Sequence, residues 1–157
     1  RIAHFAALQN LLIGYHRQRG YISALEKNGI EVDDDLIVKC DTIDEAAEIT
    51  PRIMSLKNPP DGIFCVNDMT AAGTVIALKR LNYAIPEQVS VIGFTDGLVS
   101  TVTDPPLTTV SQHGFELGKK SAEMLLYRIM NPDSGKKPYT EIIKTDLIIR
   151  GTTRKLD

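Results

Sequence analysis

In the stretch Asp61-Gly62-Ile63-Phe64-Cys65-Val66-Asn67-Asp68-Met69-Thr70-Ala71-Ala72-Gly73, a short apolar run ends at an Asn-Asp pair and alanine-rich sequence follows. An apolar run this short and this continuous reads as a strand covered on both faces, and Asn-Asp reads as the cap of a helix. A strand passing straight into a helix is the building unit of a parallel sheet, because parallel strands need a crossover between them.

The same alternation extends to both sides. Ile2–Ala6, Leu36–Cys40 and Val89–Phe94 are further apolar runs of strand length. Between the first two, Tyr15, Ile22 and Leu25 stand at helical spacing in a segment from Leu12 to Asn28, and Asn28-Gly29 is a stop signal. A second helix is predicted from about Asp44 to Leu56, capped by Thr42 or Asp44, with Pro51 expected to kink or break it near Thr50. The third helix runs from Met69 to Leu81. From Thr95 through Pro105-Pro106 to Val110 the texture is polar, and two prolines in a row read as a crossover. A fourth helix follows over Phe115–Met130, then a linker at 133–138 and an alternating last strand, Thr140–Ile149, of the kind found at a sheet edge or in an antiparallel pair. The predicted class is α/β, a three-layer fold with a parallel sheet flanked by helices.

A chain of 157 residues buries roughly 70% of its unfolded surface and holds one core without staples. With 43% hydrophobic and 24% charged residues it has a globular composition. Residues 1–78 hold 7 basic and 11 acidic groups and residues 79–157 hold 11 and 9, so neither half offers the basic stripe of a nucleic-acid surface. Cys40 and Cys65 lie inside apolar runs and are expected as buried free thiols, which suits a reducing cytoplasm. No apolar stretch approaches the ~20 residues of a membrane span, and no signal segment opens the chain, so no membrane partner is expected. Because the first residues already read as a strand, the chain is expected to start inside a larger protein.

Enzyme templates are absent: there is no phosphate-binding glycine loop, no nucleophile elbow and no His-Glu-x-x-His helix. His4, His16 and His113 are far apart, and no Cys-x-x-Cys pair supplies metal ligands. Neither catalysis, nor a cofactor, nor a metal is expected. What remains is a set of polar residues at the carboxyl ends of the strands, where open α/β sheets bind small ligands. These are Asn10 in the loop after the first strand, Arg17 on the helix behind it, Asn67-Asp68 after the third strand and Thr95-Asp96 after the fourth. Such groups hydrogen-bond sugar hydroxyls or a purine edge. For Asp68 a capping role is the simpler account, and for Asn67 both roles stay open.

Three motifs in order carry a family resemblance: Asp61 to Gly73 as quoted, Ile85-Pro86-Glu87-Gln88-Val89-Ser90-Val91-Ile92-Gly93-Phe94-Thr95-Asp96, and Pro105-Pro106-Leu107-Thr108-Thr109-Val110-Ser111-Gln112. With Arg17-Gln18-Arg19-Gly20-Tyr21 and the ending Arg150-Gly151-Thr152-Thr153, the chain resembles the effector-binding domain of LacI/GalR-type bacterial transcription regulators. The resemblance implies a periplasmic-binding-protein-like (type I) subdomain whose helix-turn-helix headpiece lies outside this chain. It also implies a small sugar or purine-like effector, operator DNA bound only through that headpiece, a homodimer and a cytoplasmic location. A periplasmic sugar-binding protein of an ABC-type transporter is the alternative reading. Residues 1–112 then form the second subdomain. Residues 113–139 are a crossover and a helix that belongs with the first subdomain, whose apolar face (Phe115, Leu117, Met124, Leu125, Ile129) lacks its partner here, and residues 140–157 are the C-terminal strand and tail. Position by position, the ligand-contacting arginine falls on Arg17 and the asparagine on Asn67. The strand-end aspartate falls on Thr95, with Asp96 as the carboxylate that could replace it. Dimer contacts are expected from the third helix, such as Val75 and Leu78, and from around Leu98 to Val102, with a place in the core as the equal alternative for these apolar residues.

Overall fold

A computed structural model describes residues 1–7, 11–132 and 139–154. In chain order they form β1 (Ile2–Ala6), α1 (Leu12–Lys27), a 3-10 turn (Asp34–Leu36), β2 (Ile37–Lys39), α2 (Ile43–Met54), β3 (Gly62–Cys65) and α3 (Asp68–Arg80). There follow β4 (Ser90–Thr95), α4 (Val99–Val102), β5 (Thr108–Ser111), α5 (Gly114–Met130) and β6 (Asp146–Ile148). The strands make one sheet in the order β2-β1-β3-β4-β5-β6. All pairs are parallel except β5 with β6.

Alternation along the strands sorts side chains between two faces. Ala3, Phe5, Ile63, Cys65 and Val91 point to the face covered by α2 and α3, where Ala46, Ile53, Ala71, Val75 and Leu78 complete the core. His4 points the other way, under Tyr21 of α1, whose hydroxyl donates to the Ile2 carbonyl at 2.7 Å. The expected three layers are present. α2 and α3 touch at Gly73, where a Cβ would stand 2.7 Å from the Ile43 carbonyl oxygen, so only glycine lets the two backbones come this close.

Four expectations need correction. Pro51 neither ends nor interrupts α2, which runs from Ile43 to Met54. One backbone donor is lost there, but the buried side chains of Ile53 and Met54 hold the last turn against the core. The segment read as a crossover contains α4 and the strand β5. Both prolines precede the first ladder residue of β5, where no donor is needed, and the strand's threonine hydroxyls find partners in Asp68 and Thr153. The last strand is confined to Asp146–Ile148, because β5 offers partners only as far as Ser111, opposite Asp146. Val75 and Leu78 are buried in the core, and the exposed apolar residues of α3 are Met69 and Ile76. α5 carries no buried residue.

Candidate functional site

The carboxyl ends of the parallel strands meet the second turn of α1. There the Arg17 guanidinium donates to the Val66 carbonyl at 2.6 Å and lies 4.0 Å above the centroid of the Phe94 ring. A cation over an aromatic face is held by the ring quadrupole. Partial burial lowers the Arg17 pKa, and the charge of Asp68 opposes that shift. One side of the arginine is thus fixed, while the fork keeps further donors that have no protein partner among the described residues.

Beside it opens a cavity of about 1100 Å³ between α1, the α1 side of the sheet and residues 141–145. Phe64, Phe94 and Tyr21 give it an aromatic wall, and Arg17, His16 and Gln112 supply polar groups. Of the residues singled out in the sequence, Arg17 lines this space. Asn67, Thr95 and Asp96 stand outside its lining, and Asn10 lies outside the described residues.

Asn67 uses both ends of its amide within the protein. Its Oδ1 accepts the Thr70 N–H at 2.8 Å, capping α3, and its Nδ2 donates to the Asp41 carbonyl at 2.9 Å, tying the segment after β2 to the end of β3. Asp68 does not cap. It is buried, with Oδ1 accepting the Thr109 hydroxyl at 2.5 Å and Oδ2 accepting the Gly97 N–H at 2.9 Å. Asp96 accepts from Arg150 at 2.7 Å and from the Ser100 hydroxyl at 3.2 Å, and the Arg150 hydrogen bond holds its carboxyl below the usual range. Thr95 is exposed, and its hydroxyl accepts from Gln112 Nε2 at 3.3 Å.

Sequence reasoning passed over two features. Phe94 and Gln112 line the cavity, and their position at the ends of β4 and β5 was the available signal. Arg150 and Thr152 form a clasp: Arg150 also donates to the Leu107 carbonyl at 2.9 Å, and the Thr152 hydroxyl joins the Val91 carbonyl to the Thr108 N–H. Nothing local in Arg-Gly-Thr-Thr foretells those partners.

His113 stands just before α5 with its Nε2 2.8 Å from Asp146. Cys40 and Cys65 are buried free thiols; burial pushes Cys40 up to about 12 and raises Cys65 as well, so neither is a thiolate at neutral pH. Among the described residues no group of three or more His, Cys, Asp or Glu side chains could hold a metal ion, and no helix is long and apolar enough to cross a membrane.

A family described as a periplasmic binding protein-like domain matches residues 1–153. The chain belongs to that family. It is 32% identical to the HTH-type transcriptional repressor CytR of Escherichia coli (strain K12) over 157 residues, covering 99% of this chain and 46% of the repressor. Among solved structures it superposes on the transcriptional regulator CelR in complex with cellobiose, with a TM-score of 0.87, 28% identity and coverage of 97% of this chain and 46% of that one. A LacI-type transcription regulator from Bifidobacterium animalis subsp. lactis gives a TM-score of 0.83 at 29% identity, covering 98% of this chain and 59% of that one. The periplasmic binding protein-like domain described here therefore spans about half the length of the curated relatives it matches.

Proposed function

We propose that the chain is the effector-sensing part of a LacI-type DNA-binding transcriptional regulator. A small sugar or purine-like molecule binds beside Arg17 and biases the closure of two subdomains. Operator DNA is contacted only by a helix-turn-helix outside this chain, and no catalytic step is involved. The observation that carries this reading is the Arg17 guanidinium, seated on Phe94 at the edge of the cavity with donors left over. A rigid fork of N–H groups suits vicinal hydroxyls or the acceptor edge of a ring. Similarity to a named repressor favours a regulator over a transporter's binding protein. Residues 1–112 belong to the second subdomain, 113–139 to a crossover and a helix that packs on the first, and 140–157 to the returning strand and tail. The regulator works as a cytoplasmic homodimer, paired through Met69 and Ile76 of α3 with Leu98 and Val102 beside it, all of them exposed here.

A thermal-shift panel of sugars, including cellobiose, and of purine nucleosides and bases tests this on the intact protein. A ligand at 100 times its dissociation constant adds about 2.7 kcal/mol of stability. Arg17→Ala should then weaken that ligand at least about tenfold, a loss beyond the stability given up with the Val66 and Phe94 contacts, which the ligand-free unfolding midpoint measures. An unchanged affinity in the variant removes Arg17 from the site.

A further inference from the structure

We propose that Asp68 is a positioning residue for effector binding: its carboxylate sets the turn at the end of β4 and so, by way of the Thr95 hydroxyl, the Gln112 side chain that lines the cavity. The inference rests on reading that cavity as the effector site.

Asp68 stands in the first turn of α3, where its neighbour Asn67 already caps the helix, so the helix has no need of the carboxylate. Both oxygens instead reach the far ends of other elements. Oδ2 takes the Gly97 N–H from the loop after β4, and Oδ1 takes the Thr109 hydroxyl from β5. The sheet leaves room for it: a Cβ on Gly93 would collide with Asp68 Oδ1, so β4 carries glycine where the carboxylate comes through.

Between Gly93 and Gly97 the backbone does something side chains resist. Thr95 has φ of 144° and Asp96 has φ of 63°, two consecutive non-glycine residues at positive φ, the first of them β-branched. Such a turn persists only where its surroundings over-determine it. Two anchors do so here. Asp68 holds the Gly97 amide, and Arg150 holds the Asp96 carboxylate. With the turn held this way the Thr95 hydroxyl meets Gln112 Nε2, and Gln112 lines the cavity with Arg17 and Phe94. A buried carboxylate on one helix thereby fixes the presentation of Gln112 toward the ligand, without touching the ligand itself.

Hydrogen–deuterium exchange on the intact protein tests the assignment, comparing peptides that cover residues 93–98 and 111–113 with a reference peptide from α2. Asp68→Ala should speed exchange at Gly97 by tenfold or more relative to α2. It should also raise the dissociation constant of any ligand found in the thermal-shift panel at least tenfold. Asp68→Asn should restore both, since its amide oxygen still accepts the Gly97 N–H while the Thr109 hydroxyl turns to accept from the amide nitrogen. If Asp68→Ala does not fold, Asp68→Ser, too short to reach both partners, is read in the same way. Exchange at Gly97 that rises only in step with α2 overturns the inference, as does full ligand affinity in Asp68→Ala. Loss of Gly97 protection in a protein whose wild type binds no panel ligand overturns the effector reading instead, and leaves the turn assigned to Asp68.

Discussion

His4 is wholly enclosed, its ring stacked 4.8 Å from Phe64 and 5.1 Å from Tyr21, with Nδ1 3.0 Å from the Phe64 carbonyl. A carbonyl only accepts, so Nδ1 carries a proton, and Nε2, buried without a hydrogen-bond partner among the described residues, favours the neutral imidazole. Burial lowers its pKa below 6.5, and the charge of Arg17 adds to the shift. The sign follows. Above pH 6.5 the residue is neutral in both the folded and unfolded states and costs nothing; below it the unfolded chain takes up the proton first, and stability falls until the folded pKa is passed. Urea denaturation between pH 7.5 and 5 should show that loss, and His4→Phe should lack the part of it due to this residue; a variant with the full wild-type slope would exonerate His4. Thr95 offers a second reading at this scale. Its φ of 144° costs about 1–3 kcal/mol, more than the 0.5–1 kcal/mol lost when glycine enters an ordinary strand. Thr95→Gly should leave the melting temperature unchanged or raise it, and a clear drop would show that the residue is unstrained.

At the scale of elements, α2 and α3 meet backbone to backbone at Gly73. Gly73 admits α2 to van der Waals distance, so Gly73→Ala has to push backbone against backbone and should cost about 1–3 kcal/mol in chemical denaturation. A variant as stable as wild type would mean that the helices shift apart freely. Thr50, wholly buried in α2, has a hydroxyl with no hydrogen-bond partner among the described residues. Thr50→Val keeps the shape and removes the unpaired group, with an expected gain of about 1 kcal/mol. A loss of stability there would reveal a partner for the hydroxyl. Pro51 follows directly, and the same packing that tolerates its missing donor explains why the proline signal in the sequence misled.

For the molecule as a whole, two groups of exposed apolar residues, among others on α1 and the C-terminal segment, bear on pairing and packing. One lies on α5, where Phe115 and Ile129 stand largely in the open. The other comprises Met69, Ile76, Leu98 and Val102, on α3 and the α4 region that packs against it. Buried charges placed into an apolar pairing surface are costly, so Ile76→Lys should dissociate a homodimer at micromolar concentration in sedimentation velocity, with the fold intact by circular dichroism. A dimer that survives the substitution, or a wild-type monomer, would refute pairing through α3.

Strands β1 to β4 and helices α1, α2, α3 and α5 were legible because periodicity, caps and apolar runs act between residues a few positions apart. The same local signals marked the buried thiols and the candidate value of Arg17. β5 was not legible, since a Thr-Thr-Val-Ser run after two prolines becomes a strand only when β4 offers it a ladder and Asp68 accepts a hydroxyl. The polar residues at the strand ends divide along the same line. Asn67 is turned inward by a carbonyl 26 residues away and Asp96 by a guanidinium 54 residues away, whereas Arg17 faces the cavity with donors to spare. Residue type and strand-end position, both readable in the chain, determined which groups were available for a ligand. Which of them were already spent was decided only by the tertiary structure, because a hydrogen bond is settled by distance in space and carries no trace in the local sequence.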